Sequence, residues 1–148
     1  MRISWRSSDP FRPLLALVIL AASVASAPLL AQTADRDPVI MVGTVSYVSG
    51  GVGDESREHL QSIAASFNLK LLLAGTSGEF LANVQVQIFG KDGKPVVQAV
   101  SEGPIFMARL PPGSYRITAT ADGVVREQKV VLGNGQRNTL HFRWPSSY

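Results

Sequence analysis

From Asn68 to Trp144 apolar and polar side chains alternate, and the alternation stops every several residues at glycine, proline or Asp-Gly. A period of two puts successive side chains on opposite faces of an extended chain, so each run is a half-buried strand and not a helix. Leu69, Leu71 and Leu73 alternate with Lys70 and Leu72, and Val84, Val86 and Ile88 alternate with Gln85 and Gln87. Gly90-Lys91-Asp92-Gly93-Lys94 is a turn, because Asp-Gly supplies the positive φ that a tight hairpin needs. Pro95 to Ser101 and Ile105 to Leu110 are further strands, separated by Glu102-Gly103-Pro104. After Pro111-Pro112-Gly113, one face carries Tyr115, Ile117, Ala119 and Ala121 and the other Arg116, Thr118 and Thr120. Asp122-Gly123 and Gly133-Asn134-Gly135 bound a strand from Val124 to Leu132, and Gln136 to Trp144 is the last, ended by Pro145. Seven short strands with closely spaced turns predict an all-β chain, a seven-stranded antiparallel β-sandwich over residues 68–144.

One short α-helix precedes the strands. Asp54 is placed to cap it, Glu55 and Glu58 suit the positive end of its dipole, and Leu60, Ile63, Ala64 and Phe67 form one apolar stripe. The helix is expected over 54–67, with His59 at its boundary as a surface residue. Its stripe must be covered, and Phe89, whose parity is opposite to Val84, Val86 and Ile88, is expected to cover the sheet beneath it. Residues 32–53 read as an extended, glycine-rich segment. They hold one apolar run, Val39-Ile40-Met41-Val42, then Val45, and end in Ser49-Gly50-Gly51-Val52-Gly53. Two readings fit those glycines: a flexible connection, or a shaped loop that approaches a partner closely. A phosphate cradle is not supported, because the Lys-Ser/Thr ending of a P-loop is missing.

The start of the chain reads as an export signal over residues 1–31. Arg2, Arg6 and Arg12 are followed by an uncharged run from Leu14 to Val24, too short to span a bilayer, and then by Ala25-Ser26-Ala27. Pro28 disfavours cleavage after Ala27, so cleavage is expected after Ala31. The expected location is periplasmic or extracellular, with no transmembrane segment in the processed chain. Loss of Arg2, Arg6, Arg12 and Asp9 takes the basic count from 14 to 11 and the acidic count from 11 to 10, a net charge of +1. The basic balance therefore belongs to the signal, and no clustered basic face remains for nucleic acid. With no Cys and two His, thiolate chemistry, disulfides and a cysteine-ligated metal are excluded, and no cofactor or metal is expected.

Four segments in order carry a family resemblance. They are Leu81-Ala82-Asn83-Val84-Gln85-Val86-Gln87-Ile88, Asp92-Gly93-Lys94-Pro95-Val96, Ser101-Glu102-Gly103-Pro104-Ile105-Phe106, and Leu110-Pro111-Pro112-Gly113-Ser114-Tyr115-Arg116-Ile117-Thr118-Ala119. The chain over about residues 68–144 resembles the carboxypeptidase regulatory-like domain, a prealbumin-like (transthyretin-like), Ig-like sandwich within the starch-binding-domain-like group. The most specific piece is Leu110 to Tyr115, where Tyr115 is expected to pack under the Pro-Pro-Gly reversal. The resemblance implies a domain that accompanies enzymes without being one. A zinc peptidase needs His-x-x-Glu, and neither His59 nor His141 starts that pattern. Hydroxyisourate hydrolases of this fold end in Tyr-Arg-Gly-Ser, whereas this chain ends Trp144-Pro145-Ser146-Ser147-Tyr148. The Lys–Asn crosslink of collagen-adhesin repeats would use Lys70 and Asn138, but the proton-shuttling Glu is replaced by Ala119.

What remains is a surface. On the last strand Thr139, His141 and Arg143 should be wet, and Leu140, Phe142 and Trp144 dry. Trp144, at the strand end, is also a candidate for stacking on a sugar ring. Tyr47, Gly50, Gly51, Gly53 and Trp144 are thus the candidate interaction residues. The expected function is a non-catalytic exported module that binds a protein partner or plays a structural accessory part in the cell envelope. The alternative is a carbohydrate-binding module, and the third reading a small hydrolase of the transthyretin-like type.

Overall fold

The computed structural model describes residues 36–146; the export signal expected over 1–31 and the C-terminal Ser147-Tyr148 lie outside the described residues. Among the described residues there are nine strands and one α-helix: β1 (Ile40–Val42), β2 (Val45–Gly50), α1 (Asp54–Ile63), β3 (Leu69–Gly75), β4 (Val84–Phe89), β5 (Pro95–Ser101), β6 (Ile105–Arg109), β7 (Gly113–Ala121), β8 (Val124–Leu132) and β9 (Asn138–Trp144). They form a five-stranded sheet in the order β1-β2-β6-β3-β9 and a four-stranded sheet in the order β5-β4-β7-β8. The seven strands from β3 to β9 lie where alternation placed them.

The sheets differ from the sequence expectation in two features. The strand count is nine and not seven, because residues read as a glycine-rich extension fold into a hairpin. Gly43, with φ 60°, makes its turn, and β2 then pairs antiparallel with β6. The sandwich is also not wholly antiparallel. β3 and β9 run parallel, from Leu69 opposite Asn138 to Gly75 opposite Trp144. Alternation fixes which face a side chain takes but carries no information on strand direction.

The inner faces of the two sheets close on each other. Leu69, Leu71, Leu73, Phe106 and Phe142 from one sheet meet Val84, Val86, Ile88, Ile117 and Ala119 from the other, and all are at most 1% exposed. The helix sits on the outer face of the five-stranded sheet. Leu60 and Phe67 pack there with Val48 and Met107, and with the half-buried Ile63 and Ala64. Phe89 does not lie beneath the helix. It belongs to the other sheet, where the Arg116 guanidinium stands 4.4 Å over its ring. Asp54 is the first helical residue, and Gly53 is the N-cap. After Ile63 the chain tightens into a 3-10 turn, Ala64–Ser66.

The edges of the sheets are treated differently. β9 and β8 are stitched together by side chains. Gln128 Nε2 donates to the His141 carbonyl at 2.7 Å, Arg126 Nε to the Arg143 carbonyl at 3.1 Å, and Trp144 Nε1 to the Val124 carbonyl at 2.8 Å. On the opposite side the Glu102 amide donates to Ser49 Oγ at 3.2 Å, tying the end of β5 to β2. β1 extends the five-stranded sheet beyond that tie, and all three of its residues are exposed.

Candidate interaction surface

β1 is one part of the described surface that solvent does not suit. Val39, Ile40, Met41 and Val42 are consecutive, and their exposures are 45%, 44%, 72% and 50%. The first precedes the strand and the other three form it. Among the described residues β1 pairs only with β2, so its outer edge offers free N–H and C=O groups beside apolar side chains. Natural edges are usually blunted by charge, proline or a bulge. Here Pro38 stands ahead of the strand and no charge interrupts it. Beside the hairpin lies a cavity of about 240 Å³, lined by Pro38, Ile40, Tyr47, Ser49, Ala99 and Val100, among others. Val100 is itself 53% exposed, and Glu102 closes the same cavity at the end of β5.

Tyr47 is drawn into this surface. It lies opposite Ile40 in the hairpin, is half-buried, and its ring stacks on Phe106 with centroids 5.5 Å apart. One side of the ring is therefore spent on the core, while its outer parts line the cavity.

The glycines have a different task. A Cβ on Gly50 would lie 2.6 Å from Asp37 Cγ and 2.9 Å from Ser56 Oγ. A Cβ on Gly103 would lie 2.6 Å from the Gly50 carbonyl carbon. Gly51, at φ 96°, has no room beside the Ile105 side chain. The segment is thus a shaped loop, as one of the two sequence readings had it, but the surface it approaches is its own chain. Gly50 and Gly51 are buried, which removes them as contact residues. Gly53 is exposed at the helix N-terminus, with φ 83°. The loop is locked by a buried polar relay in which the Gly51 amide donates to Ser56 Oγ and Ser56 Oγ donates to Asp37 Oδ2.

Trp144 is likewise a core residue. It is 3% exposed, its indole N–H is spent on Val124, and its ring stacks on Phe142 with centroids 6.1 Å apart. A sugar ring has no access to it. A strand terminus at a closed side of a sandwich is covered by the neighbouring strand, here β8. Thr139, His141 and Arg143 are exposed and Phe142 is buried, as parity required.

Among the described residues no three His, Asp or Glu side chains gather in a metal-binding group. Asp37 is buried but committed to Ser56. Lys70 lies opposite Thr139 and Asn138 opposite Leu69, so Lys70 and Asn138 leave the sheet on opposite faces and cannot be joined. Tyr115, by contrast, is where the reversal needs it. Its hydroxyl donates to the Pro111 carbonyl at 2.6 Å, and burial raises its pKa. The same bond, a tyrosine hydroxyl returning to backbone a few residues upstream, ties the corners of other sandwiches.

No helix among the described residues is long and apolar enough to cross a membrane. No family model and no curated protein matches the chain. The apolar edge β1 was not foreseen as a site. Its signal in the sequence is the short apolar run Val39-Ile40-Met41-Val42, which shows no alternation.

Proposed function

We propose that this chain is a non-catalytic, exported interaction module of the cell envelope, built on a carboxypeptidase regulatory-like, prealbumin-like sandwich, and that it holds a protein partner through β1. The single observation that carries the docking site is the four-residue apolar run on a strand whose outer edge is unpaired among the described residues. A partner strand added there would satisfy the free backbone groups and cover Ile40, Met41 and Val42 at the same time. The family assignment draws support from the seven strands β3 to β9 and from the Tyr115–Pro111 hydrogen bond at the Pro-Pro-Gly reversal. The absence of catalytic function draws support from the commitment of Asp37 to Ser56 and from the separation of Lys70 and Asn138. No exposed aromatic at Trp144 favours the carbohydrate alternative.

Site-specific photo-crosslinking in the cells that make the protein tests the docking edge. A crosslinking residue at Met41 should trap one discrete protein species, and the same residue at Val131, exposed on β8, should not. Equal trapping at both positions, or none at Met41, overturns the proposal.

A further inference from the structure

A second surface feature lies on the outer face of the five-stranded sheet, away from β1. The helix covers β2 and β6 there, but it leaves part of β3 and β9 open. The result is a groove of about 370 Å³, within the size range of small-ligand sites. Its floor is the outward row of β3, where Leu72 and Ala74 are half-buried. Ile105 flanks the floor on β6.

The wall is Phe80, which is 69% exposed. Its position is fixed by a tight turn. The Gly75 amide donates to the Glu79 carbonyl at 2.8 Å, and Phe80 is bridged to Ala74. The turn is fastened to the end of β9 by the Thr76 amide, which donates to the Trp144 carbonyl at 2.8 Å, and by the Ser77 amide, which donates to Ser146 Oγ at 3.2 Å. An aromatic held out in water by this many bonds is pre-organised for an apolar contact.

Among the described residues the rim holds two arginines and one histidine and no carboxylate. Arg57, His141 and Arg143 stand around the groove. Arg57 is ion-paired with Asp54 within the helix. Arg143 is in no ion pair among the described residues, and the Arg126 contact uses only its backbone carbonyl. One guanidinium is therefore left to meet an anion, beside a strip one strand wide.

We infer that this groove binds a single-tailed aliphatic carboxylate. Its chain lies on Leu72 and Ala74 against Phe80, and its carboxylate pairs with Arg143. One free guanidinium matches a monoanion, and its fork fits the two carboxylate oxygens. The narrow floor suits one tail. This site is independent of the docking edge β1.

Decanoate and decan-1-ol, titrated into the full protein and followed by the amide NMR shifts of Ala74, Phe80 and Arg143, test it. Decanoate should give saturable shifts confined to the groove, and decanol should bind about tenfold more weakly, the loss expected for one charge-assisted hydrogen bond. Arg143→Gln should weaken decanoate about tenfold and leave decanol unchanged, a charge-specific result that misfolding would not produce. Phe80→Ser should weaken both, and Met41→Lys neither. Equal affinity for decanoate and decanol, shifts that never saturate, or an unchanged decanoate affinity in Arg143→Gln would overturn the assignment. So would co-sedimentation with phosphatidylglycerol vesicles in the absence of saturable decanoate binding, which would make the groove a membrane contact.

Discussion

Ser56 Oγ donates to Asp37 Oδ2 at 2.6 Å with both residues buried, so a carboxylate under the N-terminal loop depends on one hydroxyl. The same oxygen accepts from the Gly51 amide at 2.7 Å. Ser56→Ala removes both bonds and leaves two buried polar groups short of a partner. The expected cost is about 2–3 kcal/mol, above that of a surface substitution because one stranded group is a carboxylate. Urea denaturation measures it. Amide exchange at Gly51 should accelerate in the variant, since its acceptor is gone.

The backbones of Gly50 and Gly103 touch, and a methyl group at position 103 would lie 2.6 Å from the Gly50 carbonyl carbon. Backbone cannot swing aside as a flexible side chain can. Gly103→Ala should therefore destabilise the fold by about 1–3 kcal/mol, in the range of an overpacked core. The unfolding midpoint reports it. A midpoint equal to that of the parent would mean that the two segments can part without cost.

Alternation made seven strands legible, because burial of one face leaves its mark at every second residue. Val84, Val86 and Ile88 are fully buried, as their spacing required. The β1–β2 hairpin was less legible because β1 is buried on neither face, so Ile40, Met41 and Val42 show no contrast to read. The helix stripe was visible, but not which sheet it would cover. Leu60 found Val48 and Met107, and Phe89 found Arg116. Trp144 was ambiguous for a related reason: its parity pointed inward, and only the position of β8 decides that its end of the strand is closed. The apolar floor of the second groove was hidden as well, since Leu72 and Ala74 interrupt an otherwise clean alternation without saying what lies over them.

Trp144 serves the core through area and through one hydrogen bond, and two substitutions separate the contributions. Trp144→Ala should cost about 3–5 kcal/mol, the usual loss for a buried aromatic. Trp144→Phe keeps most of the ring but strands the Val124 carbonyl, and should cost less, by an amount that includes about 1 kcal/mol for that bond. Thermal melts of both variants check the order.

Tyr115 gives the fold a dependence on alkaline pH. Burial raises the pKa of its hydroxyl in the folded state, so the neutral form is favoured there. Its contribution is fully present below the unfolded value of about 10 and fades as pH climbs through the higher folded value. Tyr115→Phe lacks both the titration and the bond to the Pro111 carbonyl. The parent should exceed the variant by about 1 kcal/mol or less near neutrality. The gap should narrow above about pH 10. Urea midpoints of the two proteins at neutral and alkaline pH measure it, and a gap independent of pH would contradict the assignment.

Met41 is the most exposed residue of β1, at 72%, and the core loses nothing when it changes. Met41→Lys should leave stability within about 0.5 kcal/mol of the parent, as for surface positions free of special contacts. Its effect should fall on association instead. A lysine on an open edge discourages a second strand from pairing there, so light scattering of concentrated protein should drop, and trapping from a photo-crosslinker at Val42 should weaken in parallel. A loss of more than about 1 kcal/mol in the unfolding midpoint would show the opposite. In that case the hairpin would be a structural brace of the five-stranded sheet, with its apolar run needed for folding and not for a partner.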